Sequence, residues 1–377
     1  MRILVLSDVS SHMRGGVPTE TRQLLQGLAA RGHTLALAVD APLGRAALQH
    51  FALALPSGAP WGSRLAEIVQ GFRPDLVHVM AMGSRGLAAI APVLRGQRWV
   101  LTIHSVPPHE RKLAHCHGSE TLHYALRSLR FAANSTAWKW LLRRSQIPRV
   151  VVHSRFVQRT VERYGYPGEV ALVPLGFEPG TPAAARPANM RPVGNSPRLV
   201  TVAGLAHTKG QHDAVLAMAA IKDQFPGLRL QLIGEVRDGS YLAFLNELIE
   251  RHGLHGQIRI TPNLDDASKQ QALREADFYL QPSHEEGFCL AYIEAAAIVP
   301  RLVGADTGAI AAMSAGDAGA RVVAPRAPAA IAAAVRELAA ASLPADLLGA
   351  RSARLAARFS WSAYLDAHER LYEGLRT

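Results

Sequence analysis

Short apolar runs alternate with stretches of helical spacing along nearly the whole chain. Runs at 2–7, 34–39, 74–80, 98–103, 149–153 and 170–173 predict strands. After a gap, so do 198–203, 228–233, 257–261, 277–281, 301–304 and 321–323. Between them, spacing such as Leu24, Leu25 and Leu28, stopped by Gly32 in Arg31-Gly32-His33, predicts helices. Strands alternating with helices predict an α/β chain built on parallel, doubly wound sheets. Residues 179–197, rich in Pro, Ala, Gly and Asn, form the one clear linker. The pattern divides into a Rossmann-like domain over 1–178, that linker, a second such domain over 198–357 and a last helix within 358–377. A ligand is expected in a cleft between the two domains. In the last helix Ser360 suits the N-cap position. Trp361, Tyr364, Leu365 and Leu371 form an apolar face, which either returns to the first domain or closes the second.

Composition narrows the class. The chain has 377 residues, 49% of them hydrophobic and 19% charged, enough for two sizeable cores and unlike a disordered protein. No uncharged apolar run approaches the roughly 20 residues needed to span a bilayer. The start, Met1-Arg2-Ile3-Leu4-Val5-Leu6-Ser7, has the pattern of a strand and not of a signal peptide. Cys116 and Cys289 give no disulfide framework, so a reducing, cytoplasmic setting is expected. Charge is uneven: residues 1–178 carry 21 Lys/Arg against 10 Asp/Glu, whereas the rest is balanced. Within 101–163 there are 11 basic and 3 acidic residues. Such a patch points to an anionic partner, either a membrane surface or a lipid-linked diphosphate. Nucleic acid is the least favoured partner, because no recognition motif accompanies the charge.

The most informative chemistry lies at 282–294, Pro-Ser-His-Glu-Glu-Gly-Phe-Cys-Leu-Ala-Tyr-Ile-Glu, directly after an apolar strand pattern. A strand, a loop and a helix in that order leave backbone N–H groups free at the helix start, where they suit an anion. Glu286 falls in the loop and Glu294 about a turn into the helix, so the two can meet polyols on either side of that anion. A nucleotide sugar has this shape. Gly15-Gly16-Val17-Pro18 after the first strand is a helix start at which a diphosphate can approach the backbone, or only a tight turn. Lys209-Gly210, after strand 198–203, can neutralise a diphosphate or stand as a solvated loop lysine. His104 ends a first-domain strand, as a sugar or acceptor contact or as a structural histidine.

His109, His115, Cys116, His117 and His123 include metal-ligand types, but their spacing matches no closed zinc site, and a solvated acceptor loop is expected there. No Asp-x-Asp occurs, so no metal is expected at the diphosphate and no cofactor beyond the donor substrate. Residues 122–144 predict an amphipathic helix with Arg127, Arg130, Lys139, Arg143 and Arg144 beside Trp138 and Trp140. That helix suits packing on its own domain or a membrane interface.

Taken in order, these pieces resemble the retaining glycosyltransferases of family 4. They run from Gly15-Gly16 and His33 through Pro74-Asp75-Leu76-Val77-His78, His104, Val152-His153-Ser154 and Val173-Pro174-Leu175-Gly176. Lys209-Gly210, Glu286-Gly287-Phe288 and Glu294-Ala295 complete the series. The resemblance implies the GT-B arrangement, with an acceptor-binding first domain facing a nucleotide-sugar-binding second domain across a central cleft. It implies that Glu286 contacts the donor sugar and Glu294 the ribose, while N–H groups near Gly287, Phe288, Cys289 and Leu290 hold the distal phosphate. Gly15 and Gly16 would face the diphosphate and His104 the reacting sugar. The implied reaction is transfer from a nucleotide diphosphate-sugar with retention, without a metal, a leaving phosphate oxygen taking the acceptor's proton. The expected acceptor is a lipid-linked or polysaccharide glycan at the cytoplasmic membrane face. Three positions depart from the family pattern. Gly204 stands where an arginine is common, Cys289 replaces a usual glycine and Leu175 a usual asparagine. His207 is the nearest basic replacement in sequence for that arginine. The alternatives are a catalytically weak nucleotide-sugar-binding or partner subunit, and a sugar-nucleotide epimerase or hydrolase.

Overall fold

A computed structural model describes residues 1–7, 15–39, 52–54, 61–105, 121–144, 147–178 and 190–375. The histidine-rich stretch at His109, His115, Cys116 and His117 and the linker residues 179–189 lie outside the described residues, as do the side chains of His123, Arg127 and Arg130. The chain forms two compact units, Met1–Leu175 with Trp361–Thr377, and Gly176–Ser360.

Unit 1 runs β1 (Arg2–Ser7), α1 (Gly16–Ala30), β2 (Thr34–Val39), β3 (Ala52–Ala54), α2 (Trp61–Phe72), β4 (Leu76–Ala81), α3 (Ser84–Leu94), β5 (Trp99–Thr102), α4 (Thr121–Arg144), β6 (Arg149–Val152), α5 (Arg155–Arg163) and β7 (Val170–Leu172). Unit 2 continues with β8 (Arg198–Val202), α6 (Gln211–Ala219), β9 (Arg229–Gly234), α7 (Gly239–Arg251), β10 (Ile258–Pro262), α8 (Asp266–Glu275), β11 (Phe278–Gln281), α9 (Leu290–Ala296), β12 (Arg301–Ala305), α10 (Ile310–Ser314), β13 (Ala320–Val323), α11 (Pro328–Ala340) and α12 (Leu347–Arg358). The last helix, α13 (Trp361–Glu373), belongs to unit 1.

Both sheets are parallel throughout, in the orders β3-β2-β1-β4-β5-β6-β7 and β10-β9-β8-β11-β12-β13. Strands covered on both faces must be apolar on both, which is why continuous runs and not alternation mark them. Leu4, Leu6, Val77, Val79 and Leu101 join one core, and Leu230, Leu232, Phe278 and Leu280 the other. The doubly wound class read from the pattern is thus the observed one. Its first sheet carries one strand more than the apolar runs predicted, since Ala52–Ala54 pairs only with the end of β2 at the sheet edge. β4 begins at Leu76, because Arg73 is left-handed (φ 48°) and Pro74 offers no N–H to the ladder. Among the described residues no helix is long and apolar enough to cross a membrane.

Unit 1 buries a charged cluster beneath α13. Glu20, one turn into α1, has no solvent-exposed surface. It accepts from Tyr364 Oη at 2.7 Å and from His104 Nε2 at 2.6 Å. His153 Nδ1 donates to the Val173 carbonyl at 2.8 Å while its Nε2 stands 3.0 Å from Glu20 Oε1. A carbonyl at one nitrogen and a carboxylate near the other both favour the protonated ring. Burial alone would lower its pKa, but the Glu20 charge more than offsets that and raises it. Burial likewise opposes ionisation of Glu20, yet His153 and His104 hold its pKa well below the usual carboxylate range.

Next to this cluster, His78 on β4 shares hydrogen bonds with Tyr372 Oη (2.6 Å) and Thr102 Oγ1 (2.7 Å) and stacks on His368 of α13. Gly27 lets α13 approach α1, since a Cβ there would overlap Leu365. Arg31, with Asp366 at 2.7 Å, and His33, with Glu369 at 2.9 Å, close the seam at the surface.

His368 is buried and pushed down to about 4, by desolvation first and by His153's charge, while its bond to the Tyr364 carbonyl opposes this. Between pH 6.5 and about 4 the unfolded chain takes up a proton that the folded chain refuses. Stability should therefore fall as pH drops through that window, by on the order of 3 kcal/mol for this one group. All five tryptophans lie within unit 1, so their fluorescence reports its denaturation. Denaturant titrations at pH 7 and 4.5 should show a smaller loss for His368→Leu than for the wild type. Equal losses would contradict the assignment.

Candidate active site

The order of the second sheet reverses between β8 and β11. The chain leaves these adjacent strands toward opposite sides, and the region beyond their carboxyl ends is where open α/β sheets bind ligands. The loop after β8 turns through a short 3-10 helix, His207–Lys209, and the loop after β11 carries Ser283 and Glu286. Lys209 Nζ meets Glu286 Oε2 at 2.9 Å.

The other oxygen of Glu286, Oε1, accepts from Ser283 Oγ at 2.7 Å and from Gln281 Nε2 at 3.2 Å. Gln281 is itself fixed, accepting from Tyr279 Oη at 2.5 Å and donating to Ser283 Oγ at 2.8 Å. The carboxylate is therefore aimed by a chain of hydrogen bonds running up from the buried end of β11. Burial tends to lower the Lys209 pKa, but the Glu286 charge and hydrogen bond raise it, so the ammonium stays charged. A fixed cation and a fixed carboxylate side by side can hold an anion and a polyol.

Gly287, Phe288 and Cys289 complete the loop and Leu290 opens α9. Phe288 is buried and packs edge-to-face on Phe359, with ring centres 5.6 Å apart. Cys289 sits at the N-cap of α9 with φ 84°, a left-handed backbone that disfavours any side chain, which accounts physically for a glycine at this place. Burial, and then the Glu286 charge, push its thiol well up, with Lys209 opposing, so it is no thiolate nucleophile. Glu294 lies on α9 and keeps much of its surface in solvent. Desolvation by its surroundings raises its pKa, with Lys269 opposing.

In unit 1, Gly15 (φ 141°) and Gly16 start α1, and Glu20 follows its first turn. His104, just beyond β5, donates its Nε2–H to Glu20 and so is tied to that helix start. Glu20 was not singled out in the sequence. The signal for it was an acid just past the first turn of a helix that follows Gly-Gly.

Sequence reasoning also missed Arg237, in the loop after β9. A side chain at Gly204 would begin 2.7 Å from the Arg237 Nε, so this guanidinium lies over the glycine. Its charge also reaches Lys209, whose pKa it lowers. His207 takes a different position, its ring packed 4.7 Å from that of His212.

Residues 14–180 match the family model described as Glycosyltransferase Family 4, and residues 187–348 match Glycosyl transferases group 1. A glycogen synthase of Mycobacterium tuberculosis is 31% identical over 241 residues, 62% of this chain and 55% of that protein. A D-inositol 3-phosphate glycosyltransferase of Segniliparus rotundus is 31% identical over 210 residues, 53% of this chain and 46% of that one. The chain thus spans about half the length of the curated relatives it matches. Among solved structures, sucrose-phosphate synthase from Thermosynechococcus elongatus superposes with a TM-score of 0.76 at 20% identity, covering 99% of this chain and 98% of that one. Anabaena HepE in complex with UDP-glucose gives 0.70 at 18%, covering 99% and 100%. These two share the fold. The architecture is GT-B, two Rossmann-like units each on its own parallel sheet. The chain belongs to the glycosyltransferases of family 4.

The left-handed Cys289 yields a direct test. Cys289→Gly and Cys289→Ala both lose the buried thiol, but only glycine relieves the backbone. Thermal or denaturant unfolding should find the glycine variant more stable than the alanine variant by about 1 kcal/mol. An alanine variant as stable as the glycine one would remove the strain argument.

Proposed function

We propose that this chain transfers a sugar from a nucleotide diphosphate-sugar, with retention and without a metal at the diphosphate. The proposed acceptor is a lipid-linked or polysaccharide glycan at the cytoplasmic face of a membrane. The observation that carries the reading is the Lys209–Glu286 pair at the reversal point of the second sheet, held at 2.9 Å. In this reading Glu286 accepts hydrogen bonds from the donor sugar, and Lys209 faces the phosphate nearest it. As the bond to the anomeric carbon breaks, negative charge grows on the leaving diphosphate, and a preorganised cation stabilises it more than the ground state. Arg237 supplies the second positive charge from the β9 loop, in place of an arginine at Gly204. Glu294 is assigned to the ribose. The backbone around Gly287, Phe288, Cys289 and Leu290 is assigned to the distal phosphate.

To unit 1 we assign, on the family likeness, a backbone approach to the diphosphate at Gly15 and Gly16 and a sugar contact at His104. Retention and the return of the acceptor's proton to a phosphate oxygen rest on the same likeness. Sugar transfer draws support from the names of the relatives, a glycogen synthase and an inositol phosphate glycosyltransferase, and a nucleotide-sugar donor from the UDP-glucose held by HepE. The membrane location rests on the basic excess of 101–163 and on α4. There Trp140 is exposed with the Arg144 guanidinium 5.9 Å from its ring centre, while Trp138 is buried. A second reading, a donor-binding protein with little turnover, draws on the strained Cys289 beside the phosphate position.

Thermal shifts with uridine, guanosine, adenosine and thymidine diphosphate sugars should single out one base, since a bound donor stabilises by mass action. Slow donor hydrolysis should follow with that nucleotide. Lys209→Met should lower kcat by on the order of 10²–10³-fold, and Arg237→Ala by roughly tenfold, the loss of one charge-assisted contact. Tight donor binding with no turnover on any acceptor would favour the second reading. An Arg237→Ala enzyme with unchanged kcat would remove its role.

A further inference from the structure

Three histidines unused by the reaction converge beside Lys209 and Glu286. His207 opens the 3-10 turn that ends at Lys209, and His212 lies in the first turn of α6. His284 lies in the loop after β11, two residues before Glu286. The adjacency of β8 and β11 brings the two loops together, and the His284 N–H already donates to the Thr208 carbonyl at 2.9 Å.

One ring nitrogen from each histidine lies within 4.8 Å of the others. The rings stand 4.7, 5.1 and 5.8 Å apart, centre to centre. Small side-chain rotations bring three nitrogens from there to the roughly 3.4 Å separation of tetrahedral ligands held at about 2.1 Å. Outer partners are also in place. Asp213 Oδ2 lies 2.7 Å from His284 Nε2, and Tyr241 Oη lies 2.9 Å from His212 Nδ1. Carboxylate and hydroxyl partners of this kind fix the tautomer and orientation of metal-ligating histidines.

His212 and His284 are almost wholly buried, whereas His207 is part-exposed and lies on the solvent side. Burying imidazoles costs desolvation that apolar side chains of similar size would avoid, and a shared cation offsets it. Nitrogen donors favour zinc, nickel, copper or cobalt over magnesium or calcium.

We propose that His207, His212 and His284 form a transition-metal site of the zinc class, tying the turn that carries Lys209 to the loop that carries Glu286. The ion sets the spacing of those two loops from behind and takes no part at the diphosphate, so the site is independent of the donor-transfer reading.

The test uses the full chain, stripped with a chelator and dialysed, then titrated with zinc by calorimetry and with cobalt by visible absorption. One ion per chain is expected, in the micromolar range or tighter, with a cobalt spectrum of nitrogen and oxygen ligands. His207→Ala, at a part-exposed position that leaves no core void, should weaken binding by roughly a hundredfold or more, and His284→Asn should do the same. A His115→Ala, Cys116→Ala, His117→Ala triple variant should bind as the wild type does. Three results would each overturn the proposal: no stoichiometric zinc, unchanged affinity in His207→Ala, or a cobalt–thiolate charge-transfer band placing the metal on Cys116. If His284→Asn fails to fold, His207→Ala decides alone.

Discussion

A parallel sheet covered on both faces can change the side on which it grows only where the strand order reverses, and that constraint places the chemistry of unit 2. β8 and β11 are neighbours because the chain began winding one way from β8 and resumed on its other flank at β11. The loops that follow them lie side by side at that point, and side chains from two distant stretches of sequence come within reach of each other. Lys209 and Glu286 meet there, separated by 2.9 Å in space. The hydrogen-bond chain from Tyr279 through Gln281 to Glu286 roots the carboxylate in the sheet, so the pair inherits the rigidity of the strands and not the looseness of the loops.

Unit 1 solves a related problem with a buried charge. Glu20 has no water to solvate it and is held by the nearby His153 ring, one histidine N–H and one phenol. Removing one partner from such a cluster leaves an uncompensated charge and costs several kcal/mol. The same carboxylate sets the tautomer of His104 and receives Tyr364 from α13. Docking of the last helix and orientation of a candidate sugar contact therefore run through a single side chain. Gly27 and Leu365 supply the close packing that lets α13 reach it.

How much of this was legible follows from the physics of each element. Strands of a parallel sheet are apolar on both faces, so their runs stand out, whereas Ala52–Ala54 is too short and too small to do so. The apolar face of α13 was visible in Tyr364, Leu365 and Leu371. His368 and Tyr372, equally buried, were not, because the opposing His78 and the Tyr364 carbonyl of the same helix make polar residues acceptable there. Glu286 and Lys209 were visible because each follows a recognisable strand. Arg237 was not. The absent side chain at Gly204 was plain in the sequence, but that a guanidinium from another loop lies over it is a fact of three-dimensional packing. Cys289 showed as an unusual residue type, and its left-handed backbone gives the physical reason.

The central claim is that Lys209 and Glu286 divide a nucleotide sugar between them, the lysine taking phosphate and the glutamate taking sugar. Calorimetry of the free nucleoside diphosphate and of the matching nucleotide sugar, on wild type and on Glu286→Gln, tests that division directly. The account predicts that Glu286→Gln weakens the nucleotide sugar by roughly tenfold or more, the loss of charged hydrogen bonds, and leaves the diphosphate nearly unchanged. Equal weakening of both ligands, or of neither, would contradict it.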